Sequence, residues 1–172
     1  VELSQGISHP LQNELHDWPF KPHPHGSAGW TEDEKYFLIY DKYDIWATDP
    51  SGKKSAMSLT EGVGRETNMR FRYQRLDSEE RGIPAKKDIY LLAFDTESKS
   101  SGIYKDRVSG NGRPEELMMM EHAFGRRASK AKLADRVIYT RSSYEEYPDL
   151  WSSDLSFSTP TKLSDVNPQQ SE

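Results

Sequence analysis

The chain has 172 residues, a net charge of −5 and no cysteine. The lack of cysteine excludes disulfides, thiolate catalysis and cysteine-based zinc sites, and the acidic balance argues against nucleic acid as a partner. No apolar run is long enough to span a membrane, and the start lacks both a signal segment and an initiator methionine, so we expect a chain processed or cut from a longer one.

Aromatic residues make up 11% of the chain, whereas aliphatic residues are few. Disordered chains are poor in aromatic residues and strongly charged, so this composition argues for a folded chain. Many tyrosines and tryptophans with few aliphatic residues fit small β-sheets with solvated faces better than a deep helical core. The composition therefore predicts an all-β fold.

Residues 1–29 are predicted to be an irregular connecting segment. Prolines and glycines recur from Pro19 to Gly29 and interrupt any regular element. A turn from Trp30 to Lys35 is then expected to lead into the first unit, about residues 30–64. This unit has three predicted strands, at 36–40, 44–48 and 55–59.

The middle unit, about residues 66–122, is longer and less regular. Its predicted strands are 69–75, 88–94, 101–108 and 117–120, and for the last of these a strand is favoured over a short helix. A charged loop, 77–87, separates the first two strands. Asn111-Gly112 is typical of a hairpin turn.

The last unit, about residues 128–168, repeats the plan of the first. Its predicted strands are 136–140, 149–153 and 161–164. Leu59-Thr60 and Leu163-Ser164 follow the second predicted strand of their units after nearly the same number of residues. We interpret them as equivalent positions.

A motif of the form Asp-aliphatic-Trp-x-x-Asp occurs at Asp44–Asp49 and again at Asp149–Asp154. A degenerate third copy is assigned to Asp88–Asp95. Self-similar strand-and-turn units indicate a repeat architecture. We predict about three antiparallel blades of a β-propeller, forming an open partial propeller, with Trp46 and Trp151 filling the space between neighbouring blades.

Several segments together resemble a known family. They are Trp30-Thr31-Glu32-Asp33, Asp44-Ile45-Trp46, Gly52, Leu59-Thr60, Tyr147-Pro148-Asp149-Leu150-Trp151 and the ending Lys162-Leu163-Ser164-Asp165-Val166-Asn167-Pro168-Gln169. This pattern is similar to the propeller of serine peptidases of the prolyl oligopeptidase family, which includes the dipeptidyl-peptidase and acylaminoacyl-peptidase branches. The resemblance covers about residues 30–170.

The resemblance implies a propeller that covers the active site of an α/β-hydrolase domain and restricts access to short peptides. No Gly-x-Ser-x-Gly nucleophile elbow occurs in the chain, so no catalytic residue is expected here and the catalytic domain is absent. The expected partners are the α/β-hydrolase domain of the parent chain, short peptides and, through open blade edges, further copies of the chain. No cofactor is expected. The absence of cysteine leaves the compartment open, and a periplasmic or secreted location is favoured over a cytoplasmic one.

Glu145 and Glu146 are the candidate substrate-binding residues. In the dipeptidyl-peptidase branch a glutamate pair near a tyrosine holds the free amino terminus of the substrate, and here the pair follows Tyr144. Two carboxylates facing an ammonium make charge-assisted hydrogen bonds. The pairs Glu79-Glu80 and Glu115-Glu116 match equally well by composition, and plain surface solvation is the favoured alternative.

A metal site is not expected. His16, His23 and His25, with Asp17, lie in an irregular segment without a paired ligand motif, and an ordinary polar loop is the favoured interpretation. Aspartates recur at turn positions, where their side chains are expected to bind nearby backbone rather than calcium. These residues are Asp33, Asp44, Asp49, Asp149 and Asp154.

Two alternatives to a peptidase propeller remain. One is a stand-alone propeller that binds proteins or sugars, and the other is a periplasmic scaffold or sensor propeller. A hydrolase domain elsewhere in the parent chain would distinguish the first alternative from the peptidase prediction.

Overall fold

The structure, a computed structural model, describes residues 2–110, 112–125 and 127–171. Asn111, half of the predicted hairpin turn, lies outside the described residues. The predicted all-β class is confirmed, since the strands form three antiparallel sheets in chain order. Neither helical segment of the described chain has the length and apolar character needed to cross a membrane.

The first and second sheets are simple four-stranded meanders in which each strand pairs with the next along the chain. The first sheet contains β1 (Ser27–Trp30), β2 (Phe37–Tyr40), β3 (Ile45–Thr48) and β4 (Met57–Ser58), and a short helix, α1 (Val63–Glu66), follows it. The second sheet contains β5 (Met69–Gln74), β6 (Ile89–Asp95), β7 (Ser101–Asp106) and β8 (Glu115–Met120).

The third sheet has the same meander with a divided first strand. Two short strands, β9 (Ala123–Phe124) and β10 (Ser129–Lys130), both pair with β11 (Val137–Ser142). The sheet continues through β12 (Asp149–Ser153) and β13 (Thr161–Lys162), and a 3-10 helix (Pro168–Ser171) follows.

The three sheets pack face to face in chain order, with the second sheet in the middle. Along β6, Ile89, Leu91 and Ala93 point into a core shared with the first sheet. The alternate residues Tyr90 and Leu92 pack into a separate core shared with the third sheet. Since successive side chains of a strand point to opposite faces, a continuous apolar run is the sequence required for a strand covered on both sides.

Aromatic side chains occupy much of both cores. Between the first two sheets, the fully buried Phe71 meets Tyr104 edge to face, with ring centroids 5.1 Å apart. Between the second and third sheets, Phe124 stacks on Tyr139 at 4.7 Å and meets Phe157 at 6.1 Å. Burial of one such side chain contributes about 1.5–3 kcal/mol, so these rings are principal stabilising contacts of the stack.

The outer faces of the first and third sheets keep apolar side chains in solvent. Trp30, at the end of β1, is 48% exposed, and Ile138 in β11 is 43% exposed. The apolar run at 36–40 is typical of a strand buried on both faces, but only the face with Leu38 and Tyr40 is buried, whereas Phe37 and Ile39 on the other face are half-buried.

The two full copies of the motif share their hydrogen bonding. In the first sheet, Thr60 Oγ1 donates to Asp44 Oδ1 at 2.7 Å and accepts from the Ile45 amide at 3.2 Å. In the third sheet, Ser164 Oγ donates to Asp149 Oδ1 at 2.8 Å and accepts from the Leu150 amide at 2.8 Å. We call this arrangement the aspartate–hydroxyl clasp.

Each clasp ties the start of the third strand of its sheet to the chain that follows the fourth strand. Equivalent backbone hydrogen bonds accompany the two clasps, since Leu59 N–H donates to Ile45 O and Leu163 N–H donates to Leu150 O, both at 2.8 Å. The predicted equivalence of Leu59-Thr60 with Leu163-Ser164 is therefore confirmed.

The second aspartate of each copy closes the turn after the strand. Asp49 accepts from the Ser51 amide at 2.8 Å and from its hydroxyl, and Asp154 accepts from the Ser158 amide at 2.9 Å and from three serine hydroxyls. These bonds hold the pKa of both carboxyls below the ordinary aspartate value. Asp33 likewise accepts from Thr31 Oγ1 and from the Lys35 amide, so the predicted local partners are confirmed for Asp33, Asp49 and Asp154. For Asp44 and Asp149 that prediction is wrong, because their hydroxyl and amide partners lie 15 to 21 residues further along the chain.

The third copy of the motif, Asp88–Asp95, was wrongly assigned. It falls on β6, the second strand of its sheet, whereas the true copies fall on third strands. The equivalent strand of the middle sheet is β7, where Ser101 Oγ accepts from the Phe124 amide at 2.7 Å and donates to His122 O at 2.6 Å. A serine thus replaces the aspartate of the clasp, which the motif search could not detect.

All ten predicted strands are present within two residues of their predicted ends, including 117–120 as part of β8. The sequence prediction missed β1, β9, β10 and α1. The connecting segment is shorter than the predicted 1–29, because β1 begins at Ser27, and Trp30 belongs to that strand rather than to a turn. The third sheet likewise starts at Ala123 rather than near residue 128.

The two motif tryptophans have different surroundings. Trp151 packs against the core between the second and third sheets, as predicted, with the Arg141 guanidinium 3.6 Å above its ring. Trp46 is buried, but its register opposite Ile39 puts it on the outer face of the first sheet. Its indole Nε1 donates to Asp41 Oδ2 at 3.1 Å.

Candidate functional site

The connection between β5 and β6, residues 75–88, folds back across the first strands of all three sheets. Ile83 forms a parallel bridge with Thr31, in which Ile83 N–H donates to Trp30 O and Glu32 N–H donates to Ile83 O, both at 2.8 Å. On the other side, Lys130 N–H in β10 donates to Leu76 O at 2.9 Å. The loop therefore joins β1, β5 and β10 at one place.

Arg75 fixes the conformation of loop 75–88 by hydrogen bonds to its backbone carbonyls. Its Nε donates to Asp77 O at 2.9 Å and its Nη2 donates to Ser78 O at 2.8 Å and to Glu80 O. Because several carbonyls accept from one planar guanidinium, the loop's position depends strongly on this residue.

A hydrogen bond from Tyr73 Oη to Glu80 Oε2, 2.7 Å long, marks the centre of the site. Burial, followed by the hydrogen bond to Glu80, raises the pKa of Tyr73 far above its ordinary value. The phenol therefore stays protonated and donates to the carboxylate throughout the physiological pH range.

Two cavities flank the Tyr73–Glu80 pair, and we call them together the Glu80 cleft. The larger, about 380 Å³, runs from β5 to β10 and the smaller, about 240 Å³, runs from β1 to β5. The larger is lined by the charged residues Glu32, Asp77, Glu80, Asp88, Lys87 and Lys130. The smaller is lined by the charged residues Arg75, Arg81 and Glu80, with Ala28, Gly29, Trp30, Tyr73, Gly82 and Ile83.

The two cavities differ in the sign of their charge. Acidic side chains outnumber basic ones in the larger cavity, whereas two arginines face a single glutamate in the smaller one. Since Glu80 lines both, a ligand in the Glu80 cleft meets an acidic wall on one side and a basic wall on the other. Peptide termini and charged side chains are ligands that such a cleft can orient.

The predicted pair Glu145 and Glu146 lies elsewhere, in the turn between β11 and β12. Glu146 Oε2 is 3.2 Å from His122 Nε2 and 3.5 Å from Arg141 Nη2, and its side chain is half-exposed. Glu145 is exposed, and its amide donates to Ser143 Oγ. A nearby cavity of about 350 Å³ reaches Ser143 and Tyr144 but neither glutamate lines it.

The alternative pairs also differ in their surroundings. Glu80 lines both cavities of the cleft, whereas Glu79 is exposed and pairs with Lys132. Glu116 accepts from Tyr104 Oη at 2.7 Å, and Glu115 pairs with Lys105 at 2.9 Å. Composition alone could not separate these pairs, because the difference lies in the course of loop 75–88.

The histidines of the N-terminal segment have different surroundings. Among the residues that the structure describes, no group of three histidine, aspartate or glutamate side chains is arranged to hold a metal ion. His16 Nε2 lies 2.7 Å from Phe20 O. His25 lies against the first sheet, where burial, followed by the charge of Arg72, lowers its pKa.

A buried polar network joins the first and second sheets. Asp41 is fully buried and accepts from the Tyr43 and Asp44 amides at 2.7 and 2.6 Å. Arg72 packs 4.5 Å above the Tyr40 ring and donates to Asp41 O at 3.1 Å, and burial lowers its pKa to about 10. These groups are committed to one another, so we interpret the network as structural.

Comparison with known proteins adds no family to this description. The sequence matches no protein-family model and no curated protein, and the fold matches no solved structure.

Proposed function

We propose that the chain forms three blades of a β-propeller that controls the access of peptides to a serine peptidase domain of the prolyl oligopeptidase family. The observation that carries the proposal is the stack of three antiparallel meanders, packed face to face in chain order. Blades of four antiparallel strands arranged around an axis are the defining unit of a propeller.

The aspartate–hydroxyl clasps support the proposal. The clasps of Asp44 and Asp149 occupy the same position in the first and third sheets, and Ser101 occupies that position in the second. Hydrogen bonds that join the start of the third strand to the chain after the fourth strand in all three sheets are expected of a repeat protein.

The exposed outer faces support further blades in the parent. Trp30 and Ile138 lie on faces that correspond to the covered faces of the middle sheet. A propeller closes with about 4–8 blades, so three blades leave two such faces open. Additional blades, or self-association through the same faces, would remove this apolar surface from water.

The division of labour follows from the residues present. No serine of the chain lies in a nucleophile elbow, so acyl transfer would use a serine, histidine and aspartate of the hydrolase domain. The blades would limit the size of the peptides that reach it. The Glu80 cleft, where the first strands of the blades meet, is the part of this chain best formed to contact a passing peptide.

Within this proposal, Glu145 and Glu146 stay candidates for binding a substrate ammonium. Glu146 already lies 3.2 Å from His122 Nε2 and 3.5 Å from Arg141 Nη2, so an ammonium would compete with these groups. Glu146→Gln in the full protein should raise KM for peptides with a free amino terminus and leave KM for N-acetylated peptides unchanged. An equal change for both kinds of peptide would remove Glu146 from the proposal.

Hydrolysis by the full protein tests the proposed function. We expect cleavage of short chromogenic peptides and little cleavage of a long unfolded polypeptide such as reduced casein. Efficient cleavage of both would contradict a size-limiting role. Absence of any hydrolase activity would favour a propeller that binds proteins or sugars without a peptidase.

A further inference from the structure

We propose that the free edge of β1 and the smaller cavity of the Glu80 cleft form a binding site for an extended peptide that carries a carboxylate. This inference rests on the proposed function, because it names the class of peptide that the propeller would bind. Three features of the site carry it: a free strand edge, a cavity beside it and an arginine without a partner among the described residues.

The edge of β1 already accepts a pairing segment at one end. Ile83 bridges Thr31 in parallel and donates its amide to Trp30 O at 2.8 Å. The bridge stops there, and the neighbouring residues Ala28 and Gly29 line the cavity. An extended peptide laid along this edge would continue the pairing that Ile83 begins, which is the geometry of β-strand addition.

Space for such a strand exists in the smaller cavity, which has a volume of about 240 Å³ and is lined by Gly29. The φ of +111° at Gly29 lies in the region that favours glycine.

Arg81 supplies the charge that selects a carboxylate. It is exposed, lines the cavity, and has no hydrogen-bond or ion-pair partner among the described residues. The other two charged groups are occupied, since Arg75 holds loop carbonyls and Glu80 accepts from Tyr73. A guanidinium binds a carboxylate through two parallel hydrogen bonds, so Arg81 is suited to this role.

Trp30 also lines this cavity, but its ring packs on Phe37 at the outer face of the first sheet, with the ring centroids 5.1 Å apart. That face is the one that further blades would cover, so the choice of peptide rests on the strand edge and on Arg81. The acidic excess of the larger cavity repels the carboxylate and so directs it towards Arg81.

The carboxylate can come from an acidic side chain or from the carboxyl terminus, and three fluorescein-labelled probes distinguish them. All are hexapeptides of alternating valine and threonine up to the last residue. The first ends in aspartate amide, the second ends in asparagine with a free carboxyl terminus, and the third ends in asparagine amide. Binding to the full protein is measured by fluorescence anisotropy.

We expect at least one carboxylate probe to bind more tightly than the neutral probe, and the tighter of the two identifies the source. Arg81→Gln should weaken binding of that probe roughly tenfold and leave the neutral probe unchanged. Arg136→Gln, at another exposed arginine, is the matched control and should change nothing. Thermal melting of each variant verifies that the fold is retained.

Equal binding of all three probes, or binding of the carboxylate probes that Arg81→Gln does not weaken, would overturn the inference and leave the proposed function intact. Absence of binding by every probe, in a protein that hydrolyses short peptides, would also overturn the inference alone. Absence of both binding and hydrolysis would contradict the inference and the proposed function together.

Discussion

The clasps of the first and third sheets have the same hydrogen-bonding pattern, but the pKa values of their aspartates are shifted in opposite directions. Both aspartates accept from a hydroxyl on the chain that follows the fourth strand, Asp44 from Thr60 and Asp149 from Ser164. Yet the pKa of Asp44 is raised above the ordinary aspartate value, and that of Asp149 is lowered.

The cause is the environment of each carboxylate. Burial is the main reason that the pKa of Asp44 rises, and the nearby charge of Asp41 acts in the same direction. Asp149 is held by Lys162, whose Nζ lies 2.9 Å from Oδ2, and this hydrogen bond is the main reason that its pKa falls. The repeated motif therefore determines hydrogen bonding, whereas residues outside it determine charge.

The largest effect is expected from Asp44→Ala. It leaves the Thr60 hydroxyl and the Gly64 and Arg65 amides without their acceptor. Loss of about 2–4 kcal/mol of unfolding free energy is expected, because buried donors without partners are costly. Urea unfolding at neutral pH measures it.

The matched control for this change is Asp44→Asn. An amide keeps an acceptor oxygen for the Thr60 hydroxyl and removes a carboxylate whose ionised form is disfavoured by burial. We expect Asp44→Asn to lose less than half as much unfolding free energy as Asp44→Ala. Equal losses for the two variants would mean that the charge, and not the acceptor, is what the first sheet requires.

A smaller loss is expected from Asp149→Ala. The Ser164 hydroxyl and the Val166 amide lose their acceptor, but Ser164 is only half-buried and water can replace the missing bonds. The same urea experiment gives the order of the two alanine variants. A loss as large as that of Asp44→Ala would contradict the contrast between the sheets.

Acid should loosen the third sheet before the first. The lowered pKa of Asp149 means that its contribution is present above the ordinary aspartate value and is lost as pH falls through the folded value. The raised pKa of Asp44 has the opposite sign, since its contribution is present in acid and is lost as pH rises through the folded value.

Hydrogen exchange measures this difference. Below about pH 4, we expect the Leu150 amide to lose protection, after correction for intrinsic exchange, while the Ile45 amide keeps it. Simultaneous loss at both amides would show that the sheets unfold as one unit and do not respond to local charge.

The smallest effect is expected from Lys162→Met. The change removes the partner that lowers the pKa of Asp149, so the acid sensitivity of the third sheet should approach that of the first. Hydrogen exchange at the Leu150 amide below about pH 4 is again the measurement. Unchanged acid sensitivity would assign the lowered pKa to Ser164 and Val166 instead.

Much of the fold could be predicted because strand signals are local. Alternating or continuous apolar runs bounded by turn residues located ten strands within two residues of their ends. The missed strands are two to four residues long, and β1 contains Gly29, which weakens a strand signal. Asp88–Asp95 was misassigned because an aspartate before an apolar strand is common, while the clasp that defines a true copy joins residues 15 or 16 apart.

The candidate site was less accessible to prediction. Glu145 and Glu146 were chosen because of an adjacent tyrosine, a purely local feature. The position of Glu80 between two cavities depends on Arg75 folding the loop and on Ile83 reaching Thr31, a contact between distant segments. The charge composition of a glutamate pair contains no information about such contacts.

Labelling of the full protein with a fluorophosphonate tests whether the parent chain carries a serine peptidase domain. We expect one serine to react, to lie outside residues 1–172, and to be found by peptide mapping in a Gly-x-Ser-x-Gly segment. Absence of a labelled serine in a natively folded preparation would contradict the peptidase assignment and leave three stacked sheets that serve another binding function.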